Sequence, residues 1–167
     1  GTAADTISGG AGNDTFTLTN AASVSAKDTI TGGAGNDTFT TSDANLDAAH
    51  VLSGGDGTDT LSLADITAVT DAQLENNTSI EVLTSAATGL AATLDSYAQA
   101  MGLTTITLAG TNAAGIDDTV TIQNDVTNAI TVNLDAGDYA DAGEGDDSNT
   151  IDATNYTGVL TVTTAAA

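Results

Sequence analysis

Three copies of one nine-residue pattern, G-G-x-G-x-D-x-U-x with U a large apolar residue, constrain the fold of this chain more than any other feature. They are Gly9-Gly10-Ala11-Gly12-Asn13-Asp14-Thr15-Phe16, Gly32-Gly33-Ala34-Gly35-Asn36-Asp37-Thr38-Phe39 and Gly54-Gly55-Asp56-Gly57-Thr58-Asp59-Thr60-Leu61. A weaker partner precedes each copy: Asp5-Thr6-Ile7-Ser8, Asp28-Thr29-Ile30-Thr31 and His50-Val51-Leu52-Ser53. Asp5, Asp28 and His50 stand nine residues ahead of Asp14, Asp37 and Asp59, respectively. That constant offset is the register of a coil with two loops per turn, in which each repeat stacks on the next. Successive full copies are 23 and then 22 residues apart. The spacing predicts three coils, with Asp14, Asp37 and Asp59 in one column and Asp5, Asp28 and His50 in another.

Between the loops, Thr-Ile-Thr and Thr-Phe-Thr alternate as short strands that turn Ile7, Phe16, Ile30, Phe39, Leu52 and Leu61 into the coil. This core is thin, so the loops decide whether the coil forms. Neighbouring strands lie about 4.8 Å apart, where stacked carboxylates repel by roughly 3 kcal/mol at an effective dielectric of 20. A divalent ion between them reverses the sign. Calcium suits such a place because it accepts six to eight hard oxygens, carboxylate and carbonyl alike, in irregular geometry. Glycine permits the positive φ that turns carbonyls inward. Segment 1–62 is therefore expected to fold only with the ion present.

These residues resemble the RTX family of calcium-binding nonapeptide repeats. The resemblance implies an all-β, parallel β-roll or β-solenoid with calcium-binding turns. Its metal positions would be Gly9, Gly10, Gly12 and Asp14; Gly32, Gly33, Gly35 and Asp37; and Gly54, Gly55, Gly57 and Asp59. Asp5 and Asp28 would form a site in the second column. The family's usual turn is two nonapeptides, which implies that the extra residues bulge out around 20–26 and 42–49. His50 reads as a surface loop residue that ends the second column, the other reading being a metal ligand or pH switch.

The charge balance narrows the partners. Twenty-three Asp and Glu face one Lys+Arg, a net charge of -22. Nucleic acid and anionic membrane surfaces need the Lys and Arg that are missing, so neither is expected as a partner. Without cysteine there is no disulfide framework or thiolate chemistry. No apolar run is long enough to span a bilayer as a helix, so no membrane insertion is expected. A chain opening at Gly1 reads as a processed product or an excerpt of a longer protein, with any targeting signal outside it.

The first domain is placed at 1–66 and a continuing solenoid-like region, with a helical insertion, at 67–167. Thr70-Asp71-Ala72-Gln73 reads as a capping box opening a short helix to about residue 76. Ile80-Glu81-Val82-Leu83 is strand-like. An amphipathic helix is expected over 91–101, with Leu94, Tyr97, Ala98 and Met101 on one face and Gly102 as its stop. Period-two strands resume at 103–108, 119–122, 130–134 and 159–163. The order of these units resembles segments of large bacterial RTX surface proteins. Asp135, Asp138, Asp141, Glu144, Asp146 and Asp147 crowd one Gly-containing loop, from which Asp138, Asp141, Asp146 and Asp147 are taken as further metal ligands. Asp117 and Asp118 are a fainter candidate.

No catalytic constellation emerges, and the chain is expected not to be an enzyme. The single histidine has no nucleophilic partner in reach of the pattern, and no phosphate-cradling loop occurs. The composition resembles that of Gram-negative surface-layer proteins, which leave the cell by type I secretion. The expected function is a calcium-dependent structural module of a secreted bacterial surface-layer or extracellular filament protein. It would self-assemble outside the cell, with cell-surface polysaccharide bound by other parts of the full protein. The alternatives are an adhesin stalk or a ligand- or ice-binding module with Thr15/Thr17 and Thr38/Thr40 ranks, or the calcium-folded secretion segment of an exported enzyme or toxin.

Overall fold

A computed structural model describes residues 3–18, 27–42, 46, 50–87, 89–108, 117–134 and 149–164. Every strand pairing in it is parallel, and the strands stack into a β-solenoid. In the first three coils a six-residue strand leads through a glycine turn into a four-residue strand: β1 (Thr6–Ala11) and β2 (Thr15–Leu18), β3 (Thr29–Ala34) and β4 (Thr38–Thr41), β5 (Val51–Asp56) and β6 (Thr60–Leu63). The later coils use β7 (Ala68–Val69) and β8 (Val82–Ser85), β9 (Ala91–Leu94) and β10 (Thr105–Leu108), β11 (Thr119–Ile122) and β12 (Ile130–Leu134), then β13 (Thr150–Asp152) and β14 (Leu160–Thr164). The second strand of every coil joins one seven-stranded sheet ordered β14-β12-β10-β8-β6-β4-β2. The first strands split into β1-β3-β5 and β13-β11-β9-β7.

Register follows from the period-two pattern. Phe16 pairs with Phe39, Phe39 with Leu61, Leu61 with Leu83, and the column continues through Ile106 to Val132. From Phe39 to Val132 each of these side chains is fully buried, which contributes about 1.5–3 kcal/mol apiece. At the end of the column the Phe16 and Phe39 rings stack, with centroids 5.2 Å apart. A one-residue slip in any coil would turn this column outward. The opposite side of the sheet carries Thr15/Thr17, Thr38/Thr40 and Thr60/Ser62 in matching ranks, which Val82 interrupts beside Thr84 before Thr105/Thr107.

The seven-stranded sheet passes without interruption from β6 to β8. On the other side the stacking changes hands at the same level. β7 does not pair with β5; instead Thr78 bridges to Ser53, its N–H donating to the Leu52 carbonyl (2.9 Å) and its carbonyl accepting from Gly54 N–H (3.0 Å). Asn76 and Ser79 bracket that segment with φ of 69° and 52°, left-handed kinks that Asn tolerates better than most residues. The fourth coil has no glycine pair, so it covers β5 with this short kinked piece and places β7 on a new sheet.

Two helix expectations change. The capping-box residues form a 3₁₀ turn only over Asp71–Leu74, with Thr70 N–H donating to Gln73 Oε1 at 2.8 Å. The amphipathic helix shrinks to α1, Ser96–Met101, because Ala91–Leu94 is drawn into β9 between β7 and β11. Ala92 and Leu94 are buried there with strand rather than helix periodicity. Asp71 Oδ1 and Oδ2 accept the backbone N–H groups of Asp95, Tyr97 and Ala98, which fixes where α1 begins. Gly102 ends α1 at φ 97°, the left-handed stop read from the sequence. The strand expected over 103–108 starts at Thr105, and that over 159–163 becomes Leu160–Thr164. Among the described residues no helix is long and apolar enough to cross a membrane.

Candidate metal centre

Each full repeat ends its glycine turn on an Asp whose side chain folds back beneath the turn. Asp37 Oδ1 accepts the backbone N–H of Asp14 (2.8 Å), and Asp59 Oδ1 accepts that of Asp37 (2.7 Å). The main chain advances in step, Thr38 N–H donating to the Asp14 carbonyl and Thr60 N–H to that of Asp37. One carboxylate oxygen of Asp37 and one of Asp59 are thus consumed in holding the preceding coil in register. Asn13 and Asn36 form a parallel ladder beside it, their Oδ1 atoms accepting the N–H groups of Asn36 and Thr58.

The other oxygen has no such use. Asp14 Oδ2, Asp37 Oδ2 and Asp59 Oδ2 are buried and have no hydrogen-bond partner. Beside each lies a glycine with no room for a side chain. A Cβ on Gly32 would stand 2.1 Å from Asp37 Oδ2 and 2.6 Å from the Gly54 carbonyl oxygen; on Gly9 it would stand 2.3 Å from Asp14 Oδ2 and 2.8 Å from the Gly32 carbonyl oxygen. Gly33, at φ 123°, faces the Gly10 carbonyl in the same way, 2.0 Å from where its Cβ would be. Carboxylate oxygens without donors lie here beside carbonyl oxygens, and water-excluded surroundings penalise each such unpartnered carboxylate oxygen by about 1–3 kcal/mol. The oxygen-only donor set, part carboxylate and part carbonyl, is the chemistry a calcium ion satisfies. Among the described residues no group of three or more Asp, Glu or His side chains converges on one point, so carbonyls must complete any such site.

The column has a fourth member that the glycine pattern does not reveal. Glu81 Oε2 accepts the backbone N–H of Asp59 at 2.9 Å, taking the place that Asp37 and Asp59 fill in their coils. The 22-residue step from Asp37 to Asp59 lands on Glu81 when repeated, and that is the signal in the sequence. Here the Ser79 carbonyl replaces a glycine carbonyl, 1.9 Å from a Cβ built on Gly54. Asp59 feels both neighbours. Burial pushes its carboxyl above the ordinary 3.8, the Asp37 N–H works in the opposite direction, and the Asp37 and Glu81 carboxylates raise it further.

The second column is built alike but more openly. Asp28 Oδ1 accepts the Asp5 N–H at 2.9 Å, near the surface. The expectation that His50 is a surface loop residue is incorrect: only 5% of it is exposed, because Val51 N–H docks on the Asp28 carbonyl and draws the ring over the previous coil. Asp118, also buried, acts as a register lock, with Oδ1 accepting Leu90 N–H while its own N–H donates to Asn149 Oδ1. Asp138, Asp141, Asp146 and Asp147 lie outside the described residues, as do the bulge at 20–26 and most of the one at 42–49.

A parallel solenoid whose turns cradle donor-free carboxylate oxygens against glycine carbonyls is a cation-binding β-roll. Residues 1–19 and 25–45 match the model of the RTX calcium-binding nonapeptide repeat. These segments are RTX repeats, and calcium is the ion such repeats bind. The third turn, Gly54 to Asp59, lies beyond the matched residues yet repeats the geometry of the first two. No curated protein and no solved structure matches the chain.

Proposed function

We propose that this chain is a calcium-dependent structural module of a secreted bacterial surface-layer or extracellular filament protein, folding and self-assembling outside the cell. The observation that carries the reading is the buried column of carboxylate oxygens without donors at Asp14, Asp37 and Asp59. In this reading those oxygens, the Glu81 carboxylate and the carbonyls of the Gly9, Gly32 and Gly54 turns take up calcium, and the Asp5/Asp28 pair forms a second, more open site. The chain does no catalysis; the ion is a strut.

One further feature supports assembly. With a net charge of -22, copies repel until calcium binds and bridges them, which ties assembly to the ion-rich medium outside a cell. Electron microscopy of the protein with added calcium tests this. Ordered sheets or filaments are expected, and persistent monomers at saturating calcium would refute it.

The Thr ranks on the outer face of the seven-stranded sheet favour a second reading, an adhesin or ice-binding module. Thermal hysteresis in the calcium-loaded protein distinguishes it.

A further inference from the structure

The structure points to a second kind of metal site: we propose that Asp28 and His50 bind a borderline divalent transition ion, of which zinc is the probe, one coil away from the Asp5/Asp28 pair. Three observations carry this. His50 takes the acidic position of its column in the third coil, stacked on Asp28 as Asp28 is on Asp5 by the Val51 and Thr29 N–H bonds to the Asp28 and Asp5 carbonyls. Its side chain is only 6% exposed, yet neither ring nitrogen has a hydrogen-bond partner. Its Nδ1 stands 3.7 Å from Asp28 Oδ2, an oxygen left over after Oδ1 has accepted the Asp5 N–H.

That separation is too long for a hydrogen bond. Two ligands on one zinc ion, each about 2.1 Å from it, stand roughly 3.4 Å apart at the tetrahedral angle, within a few tenths of an ångström of what the backbone imposes. Asp28 is 24% exposed, so water reaches the remaining coordination positions from that side. An imidazole nitrogen is a poor calcium ligand and a good one for zinc, nickel or copper. Replacing Asp by His at this one rung therefore changes which ion the column accepts. The length of β5 separates His50 from the Gly55 turn by roughly 16 Å, so zinc would not compete with calcium at that turn and would share only the Asp28 carboxylate with the Asp5/Asp28 pair. The proposal stands whatever the coil assembles into.

His50 is the only histidine in the chain, so its imidazole C–H resonances need no assignment. In the calcium-saturated full chain, titration with zinc is expected to shift those resonances and saturate at one equivalent. Calorimetry should register the same equivalent, lost in His50→Gln and weakened in Asp28→Asn. His50→Asp should lose it as well and bind one calcium ion more than the parent. Imidazole resonances that stay unmoved by zinc in the folded wild-type protein overturn the proposal, as does a stoichiometric zinc site that survives His50→Gln.

Discussion

Asp59 accepts the backbone N–H of Asp37 through Oδ1 at 2.7 Å, while its Oδ2, equally buried, has no donor. One carboxylate thereby does two jobs with opposite demands. The first oxygen stitches consecutive coils together; the second leaves negative charge where nothing in the protein neutralises it. The only Lys+Arg residue, Lys27, is exposed and precedes the other column.

Removing calcium should therefore undo the first three coils. In excess EDTA the β-sheet circular dichroism and amide protection of β1 to β6 are expected to be lost, and to return cooperatively at roughly millimolar calcium, the range of extracellular calcium modules. A spectrum indifferent to EDTA would show that the column tolerates its own charge.

Asp37→Asn should separate the two jobs. The new amide keeps an oxygen for the Asp14 N–H and puts an N–H where Oδ2 was, near the Gly54 carbonyl. The variant is expected to be more stable than the parent in EDTA and less stable in calcium, by about 1–3 kcal/mol each way. The sheet signal retained in EDTA and urea melts in calcium measure this. Destabilisation in both would mean that Oδ2 has a use other than holding an ion.

Gly32→Ala should strain the turn and weaken the site together. Its methyl group would meet Asp37 Oδ2 at 2.1 Å and the Gly54 carbonyl at 2.6 Å, forcing the turn to shift. Overpacking of this kind costs about 1–3 kcal/mol, and the calcium midpoint should rise accordingly. As a contrast, Leu61→Ala, in the fully buried inner column, should cost about 2–5 kcal/mol at saturating calcium too.

Without calcium, what Asp59 contributes to the stability of the first three coils should depend on pH in a direction opposite to that of most folded-state carboxylates, so these coils should regain sheet as pH falls. The Asp59 carboxyl is raised when folded, so the unfolded chain releases its proton first. Its contribution favours folding below the ordinary 3.8 and is lost as pH rises from there through the raised folded value. Denaturation in EDTA should become easier as pH rises through that window. Glu81→Gln, which removes one of the charges raising Asp59, should flatten the trend. A calcium-free stability that climbs over this range, in parent and variant alike, would contradict the assignment.

Much of the coil was legible because its signals are local. Strands β11 and β12 coincide with the expected stretches, since Thr119-Val120-Thr121-Ile122 and Ile130-Thr131-Val132-Asn133-Leu134 alternate without ambiguity. Ala91–Leu94 reads as helix in isolation because Ala and Leu favour one, and only the flanking β7 and β11 make the segment extended. Glu81 is not legible in the glycine pattern, because the column follows the 22-residue step and not the glycines. The burial of His50 is not legible in the sequence, because burial of a lone imidazole depends on the coil beneath it.

The sequence by itself determined the period, the glycine turns, the inward column from Phe16 to Leu61 and the identity of the calcium-binding repeats, because contiguous residues set turn conformation and side-chain alternation. Only the tertiary structure decided that one sheet runs the full length of the stack while the other side changes partners above β5. It also decided that Glu81 joins the Asp column and that His50 comes to face Asp28. These depend on which residues meet across successive coils, and that is settled when all the strands bury their common core together.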